Sequence, residues 1–172
     1  TGPEIITRLD EARADGVDIT ADLYPYVYWQ SNMMVLLPER DPTDLSAIAF
    51  VMTQLAPPEG IIFTHFPPEP DYVGKTLVEV AALRGESPGQ AFSALAQLSV
   101  AWTRDTGEPG DMIIGTSMDE VDLQTLMGWP HANICTDGGL EDRHPRGAGS
   151  FPRVLGRYVR DLKLLTLEAA IH

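Results

Sequence analysis

Residues Ala132–Arg146 read A-N-I-C-T-D-G-G-L-E-D-R-H-P-R. The short apolar run Ala132–Cys135 has the length of a buried strand. It delivers Asp137 onto a Gly138-Gly139 turn, and a loop carrying His144 and Arg146 follows. In a parallel α/β architecture a carboxylate at the C-terminal end of a strand sits where chemistry is usually found. Two readings of Asp137 fit the residues equally. Asp-Gly is ordinary turn chemistry, and it is also a way to present a carboxylate where glycines let another backbone come close. Arg146 can grip a carboxylate through two parallel hydrogen bonds, although a lone loop arginine is commonly just solvated.

The flanks of this stretch keep a strand–helix rhythm. Met112–Gly115 reads as a short apolar strand. Ser117-x-x-Glu120 has the form of a capping box and opens a helix through Val121, Leu123 and Met127 that stops near Pro130. After the loop at 137–149, Ser150 is placed to cap a helix carrying Val154, Leu155, Tyr158, Val159 and Leu162, and Thr166 opens another helical pattern. At the other end, Pro3–Asp15 has Ile5, Ile6, Leu9 and Ala12 at helical spacing, with Pro3 suited to the first turn and Gly16 to the stop. Val17–Leu23 alternates apolar and polar and predicts a strand. The aromatics Tyr24, Tyr26, Tyr28 and Trp29 then crowd its end, either as core packing or as the wall of a pocket with hydroxyls aimed at a polar ligand.

Between Pro38 and Gly110 the texture changes. Prolines cluster at Pro57-Pro58, Pro67-Pro68 and Pro70. Short helical patterns appear at Leu45–Met52, at Leu77–Ala81 before Gly85, and at Ala91–Leu98 after Ser87-Pro88, and Ile61–Phe66 has the look of a strand. A connection this long is no ordinary βα loop. It reads as an inserted subdomain, serving either as a lid or as an inert decoration. The expected organisation is therefore 1–37 and 111–172 as segments of one parallel α/β layer, with 38–110 inserted. Alternating strands and helices imply a parallel sheet, and three such strands fall short of the eight strands and about 250 residues of a closed barrel.

Composition narrows the classes. At 172 residues, 44% hydrophobic and 22% charged, the chain matches ordinary globular usage. Its net charge of −13 leaves no basic stripe to neutralise phosphates, which argues against nucleic acid or an anionic membrane as partner. One cysteine rules out an internal disulfide framework. No apolar run approaches the roughly 20 residues of a membrane span, and Thr1–Gly16 lacks the order of a signal peptide, so a cytoplasmic location is expected. The start at Thr1-Gly2-Pro3 and the stop at His172 within a helical pattern suggest a piece of something longer.

Of the four histidines, His65, His131, His144 and His172, no pair stands at His-x-His or His-x-x-x-His spacing. His131 and His172 read as structural or incidental, and His65 as a surface or packing residue.

The motifs Asp22–Tyr26 (D-L-Y-P-Y), Ile134–Gly138 (I-C-T-D-G), His144-Pro145-Arg146 and Phe151–Tyr158 (F-P-R-V-L-G-R-Y), followed by Leu167-Glu168-Ala169-Ala170, occur in an order and spacing that resembles the D-aminoacylase (N-acyl-D-amino-acid deacylase) family of the amidohydrolase superfamily. The likeness runs over nearly the whole chain and is weakest in the insertion. It implies an α/β fold, a partial (β/α)8 TIM-barrel of about the last three strand–helix units, in a zinc-dependent hydrolase that cleaves the amide of N-acyl-D-amino acids or related N-acyl compounds. By the same resemblance Asp137 is the metal-ligating aspartate that carries a proton from the activated water to the departing amine. Arg146 holds the substrate's free carboxylate, Tyr24 assists it, and His144 has a supporting position. The chain departs from the pattern six places after Tyr24, where a small hydroxyl residue is replaced by Gln30, with Ser31 one place on. Tyr28-Trp29-Gln30 is bulkier than usual, which implies a pocket for another acyl group or amino acid. Cys135 does not match the family's metal-binding cysteine.

One carboxylate cannot hold catalytic zinc, which takes about three protein ligands. By itself the chain is therefore expected to be inactive, and to self-associate through exposed strand edges and apolar helix faces. The alternative from another functional class is a non-catalytic binding or assembly module.

Overall fold

The computed structural model describes residues 1–116, 118–139 and 144–171. In chain order the principal elements are α1 (Gly2–Ala14), β1 (Ala21–Leu23), β2 (Tyr28–Ser31), α2 (Leu45–Phe50), β3 (Ile62–His65), α3 (Leu77–Arg84), α4 (Pro88–Thr106), β4 (Met112–Thr116), α5 (Glu120–Met127), β5 (Ala132–Ile134), α6 (Arg146–Arg153) and α7 (Leu167–Ile171). A single 3-10 turn (Met33–Leu36) follows β2, and π-helical turns extend α2 to Leu55 and α6 to Asp161. The elements divide into two compact bodies, one made of Thr1–Val27 with Met118–His172, the other of Tyr28–Ser117.

The first body holds the strand–helix units. β1 and β5 run parallel, Ala21 opposite Ala132 and Leu23 opposite Ile134. The Cys135 amide continues the ladder by donating to the Leu23 carbonyl at 2.9 Å. The strand expected over Val17–Leu23 is reduced to Ala21–Leu23, because only that part finds a partner strand. α1 starts as a capping box, with the Thr1 side chain and Glu4 reciprocating and Pro3 in the first turn. It is tied to α5 by the Gly2 amide donating to Asp122 Oδ1 at 2.8 Å, and to the Trp129 indole, which donates to Asp10 Oδ1 at 2.8 Å. The N-cap of α5 is Asp119, whose Oδ1 accepts from the Val121 amide. The capping box expected from Ser117 falls on a residue outside the described set, as do Leu140–Arg143 of the central stretch and His172. Ser150 does not cap a helix. It lies inside α6 and its hydroxyl donates back to the Arg146 carbonyl at 2.7 Å. Pro152 withholds a donor from the same helix, which widens to π spacing from Val154. The core here is small: Leu123, Met127, Val154 and Tyr158, with Leu23, Val27, Ile134 and Leu165 packed against them.

The second body is larger than the insertion expected at 38–110. Tyr28–Ser31 and Met112–Thr116 belong to it because they pair with each other, antiparallel, with Tyr28 opposite Thr116. β4 is the centre of a three-stranded sheet in the order β2-β4-β3, with β3 also antiparallel. The third parallel strand expected at Met112–Gly115 is thus not one: among the described residues only β1 and β5 pair in parallel. α3 and α4 open with capping boxes at Thr76 and Ser87 and close on left-handed Gly85 and Gly107. Met33, Leu37, Ile48, Phe63, Phe66, Leu77, Phe92, Leu95 and Ile113 are each at most 1% exposed. Each of these side chains contributes about 1.5–3 kcal/mol by leaving water, and together they form the main core of this body.

Candidate functional site

β5 ends at Ile134, and three residues later the chain turns at Asp137, whose φ is +46°. Aspartate is one of the few residues that enter the left-handed region at modest cost. Gly138 then lets the loop pass against the first turn of α6: a Cβ there would stand 2.5 Å from the Gly147 Cα and 2.6 Å from its nitrogen. This close pass brings Asp137 Oδ2 to 2.8 Å from an Arg146 terminal nitrogen.

The two partners sit in different surroundings. Arg146 is buried, its residue only 7% exposed, whereas the Asp137 side chain is 60% exposed. The Arg146 Nε is buried and has no hydrogen-bond partner among the described residues. A buried guanidinium with an unspent donor costs free energy unless an acceptor arrives. Such an arrangement suits a carboxylate ligand.

Tyr24, just beyond β1, lies beneath the same guanidinium, its ring centroid 4.9 Å from the Arg146 Cζ. Burial pushes the Tyr24 phenol above its ordinary value, and the Arg146 charge pulls part of the way back. Tyr24 is therefore a neutral hydroxyl at physiological pH, able to donate. His144, 3% exposed, stands edge-on to Tyr24 at 6.1 Å and to Tyr26 at 5.1 Å between ring centroids. Its Nδ1 accepts the Arg146 amide at 3.0 Å. Beyond it, Arg153 lies over the Tyr26 ring at 4.9 Å and donates from Nε to the Pro25 carbonyl at 2.6 Å.

Tyr24, Asp137 and Arg146, the three residues singled out by motif, thus form one cluster. The direct pairing of Asp137 with Arg146 was not foreseen, since each was assigned a separate partner. Tyr26 was expected only as core packing or pocket wall, and Arg153 was given no role. They stand in D-L-Y-P-Y and F-P-R, but neither motif says that the two meet. His65 lies in β3 of the other body, and His131 packs edge-on against Trp129 at 5.1 Å between centroids. The Cys135 thiol is pushed up by burial, with the Asp22 and Asp137 carboxylates acting in the same direction, so it is a poor thiolate. No group of three or more His, Cys, Asp or Glu side chains able to hold a metal exists among the described residues. Asp137 brings a single carboxylate, and no donor set forms around it among the described residues.

The chain is 35% identical over 169 residues to the N-acyl-D-glutamate deacylase of Alcaligenes xylosoxydans xylosoxydans, an alignment covering 96% of the chain. The chain is a homologue of the D-aminoacylases. No family model matches it. Its structure superimposes on an N-acyl-D-glutamate deacylase from Bordetella bronchiseptica, complexed with zinc and a phosphonate inhibitor, with TM-score 0.69 and 32% identity over 96% of the chain. It superimposes equally on a D-aminoacylase that defined a subset of amidohydrolases, with TM-score 0.71 and 30% identity over 99% of the chain. The chain spans 28% to 30% of the length of these three proteins. The Asp137, Arg146 and Tyr24 cluster therefore lies in a fold similar to that of a deacylase complexed with zinc. No helix among the described residues is long and apolar enough to cross a membrane.

Proposed function

We propose that the chain is part of a zinc-dependent amidohydrolase that hydrolyses the amide of N-acyl-D-amino acids or closely related N-acyl compounds. In this reading β1, β5 and their helices are consecutive strand–helix units of a (β/α)8 barrel. The observation that carries the proposal is the buried Arg146, with its unspent Nε, set against Tyr24 and Asp137. Arg146 receives the free carboxylate of the substrate and the Tyr24 hydroxyl adds a second donor. Asp137 takes a proton from the attacking water and delivers it to the amine as the C–N bond breaks, releasing a carboxylate and a free amino acid. A bound zinc ion would lower the pKa of water and polarise the carbonyl. Asp137 would be one of its ligands, and the others would come from elsewhere in the parent protein.

The test is to assay the parent for release of free amino acid from N-acyl-D-amino acids, including N-acyl-D-glutamate. Inactivity towards all of them, with zinc bound, would overturn the reading.

One observation favours an additional assembly role for the isolated chain. The first body carries a groove of about 690 Å³ lined by Trp129, Ile134, Phe151, Leu155, Leu165 and Ile171 among others, and Val121 and Ile171 are each 70% exposed. Apolar surface of this kind drives self-association. Gel filtration with light scattering should show the isolated chain larger than a monomer. A stable monomer would remove this role.

A further inference from the structure

We propose that His144 is a positioning residue, one that sets the orientation of Arg146 and Tyr24 towards the substrate carboxylate. The inference rests on the functional reading above for what Arg146 binds, but its geometry stands on its own.

His144 touches both members of the carboxylate pair by different means. Its Nδ1 accepts the Arg146 amide at 3.0 Å. That N–H is one of the unpaired donors at the start of α6, and Pro145, the residue before the helix, offers no side-chain cap. With Nδ1 acting as acceptor, the neutral ring carries its proton on Nε2. The ring edge meets Tyr24 at an interplanar angle of 70° and Tyr26 at 90°. Tyr24 in turn carries the Arg146 guanidinium on its face. These three contacts close a triangle: imidazole to arginine backbone, guanidinium to tyrosine ring, tyrosine ring back to imidazole. Rotation of the imidazole would disturb both the first turn of α6 and the ring beneath the guanidinium.

A second brace fixes the far side. Tyr26 is held between His144 and Arg153, and Arg153 binds the Pro25 carbonyl between the two tyrosines. A Cβ at Gly149 would collide with the Tyr26 hydroxyl, so α6 and the Tyr24–Tyr26 loop are in close contact there. The D-L-Y-P-Y, H-P-R and F-P-R motifs are thus parts of one interlock with His144 at its centre. A plain core histidine would be replaceable by another aromatic of similar volume. This one supplies a ring edge and an acceptor together.

Two substitutions separate these contributions. His144→Phe keeps the ring and removes the acceptor, and His144→Asn keeps an acceptor two residues before the Arg146 amide and removes the ring. In the parent protein, both should raise KM for an N-acyl-D-amino acid about tenfold while kcat stays within about threefold, since a loosened carboxylate grip removes binding common to ground and transition states. Melting temperatures should stay near that of the unsubstituted protein. Wild-type KM in both variants would overturn the proposal. So would a fall in kcat with KM unchanged, or loss of the fold in both, because either would make His144 a structural residue only. If the unsubstituted parent is itself inactive, the functional reading fails first. The positioning role is then decided by the crystal structure of His144→Phe: a displaced Arg146 guanidinium supports it, and an unmoved one overturns it.

Discussion

Asp137 and Arg146 pair at 2.8 Å, yet one is largely exposed and the other almost wholly buried. The asymmetry decides what each loses when the pair is broken. Asp137 has water in reach and gives up little, whereas Arg146 would be left as a buried cation with its Nε already unspent. A carboxylate arriving from a substrate would restore the partner and leave Asp137 to other work. Under the proposed function the pair would be a resting arrangement that the substrate's carboxylate displaces.

Asp137→Asn should separate charge from backbone. Asparagine tolerates the left-handed conformation at φ +46° nearly as well as aspartate, while alanine adds about 1 kcal/mol of strain. In the parent, Asp137→Asn should reduce kcat by roughly a hundredfold or more if the carboxylate moves a proton. Urea denaturation should find it more stable than Asp137→Ala. Full activity in the asparagine variant would remove Asp137 from the chemistry.

Arg146→Lys tests the planar grip. Lysine keeps the charge but loses the fork that binds a carboxylate through two bonds, and it stacks less well on Tyr24. We expect kcat/KM for N-acyl-D-amino acids to fall at least about tenfold, mostly through KM. Unchanged steady-state kinetics would show that the carboxylate is held elsewhere.

Several helix starts and stops were legible because their signals are local, although Ser150, expected as a cap, lies inside α6. Pro3, Ser87-Pro88 and Gly85 act within a turn, and α1, α4 and α3 begin or end where those residues predict. Strand direction was not legible. Met112–Thr116 and Ala132–Ile134 are similar short apolar runs, but one lies between antiparallel neighbours and the other beside a parallel strand, and nothing within five residues encodes a partner far along the chain. For the same reason four residues of the alternating Val17–Leu23 segment pair with no strand among the described residues. At the site, Asp137, Arg146 and Tyr24 were visible as motif residues. The contacts joining them depend on a backbone crossing between Gly138 and Gly147 that no spacing reveals.

Gly138→Ala probes that crossing. The added methyl would stand 2.5 Å from the Gly147 Cα, a backbone atom that cannot rotate away. The loop must lift, and Asp137 moves with it. Overpacking of this kind costs about 1–3 kcal/mol. Denaturation should register that loss, and a structure of the variant should show the Asp137–Arg146 pair broken. A stability and a pair unchanged from the unsubstituted chain would mean that the two backbones adjust without cost.

Asp111 gives the second body a pH dependence of definite sign. It is 3% exposed, its Oδ2 accepts the Met33 amide at 2.7 Å and its other oxygen accepts the Ser99 hydroxyl. Burial pushes its carboxyl above the ordinary aspartate range, against the pull of those hydrogen bonds and of His65. The folded state therefore binds the proton more tightly than the unfolded chain does. Its contribution to stability is complete below the unfolded pKa and is lost as pH rises through the higher folded value. Asp111→Asn keeps an acceptor for Met33 and a polar partner for Ser99, but carries no charge at any pH. Urea midpoints measured between pH 4 and pH 7 should fall more steeply for the unsubstituted chain than for Asp111→Asn. Parallel profiles would show that the hydrogen bonds from Met33 and Ser99 fully offset the burial of the charge.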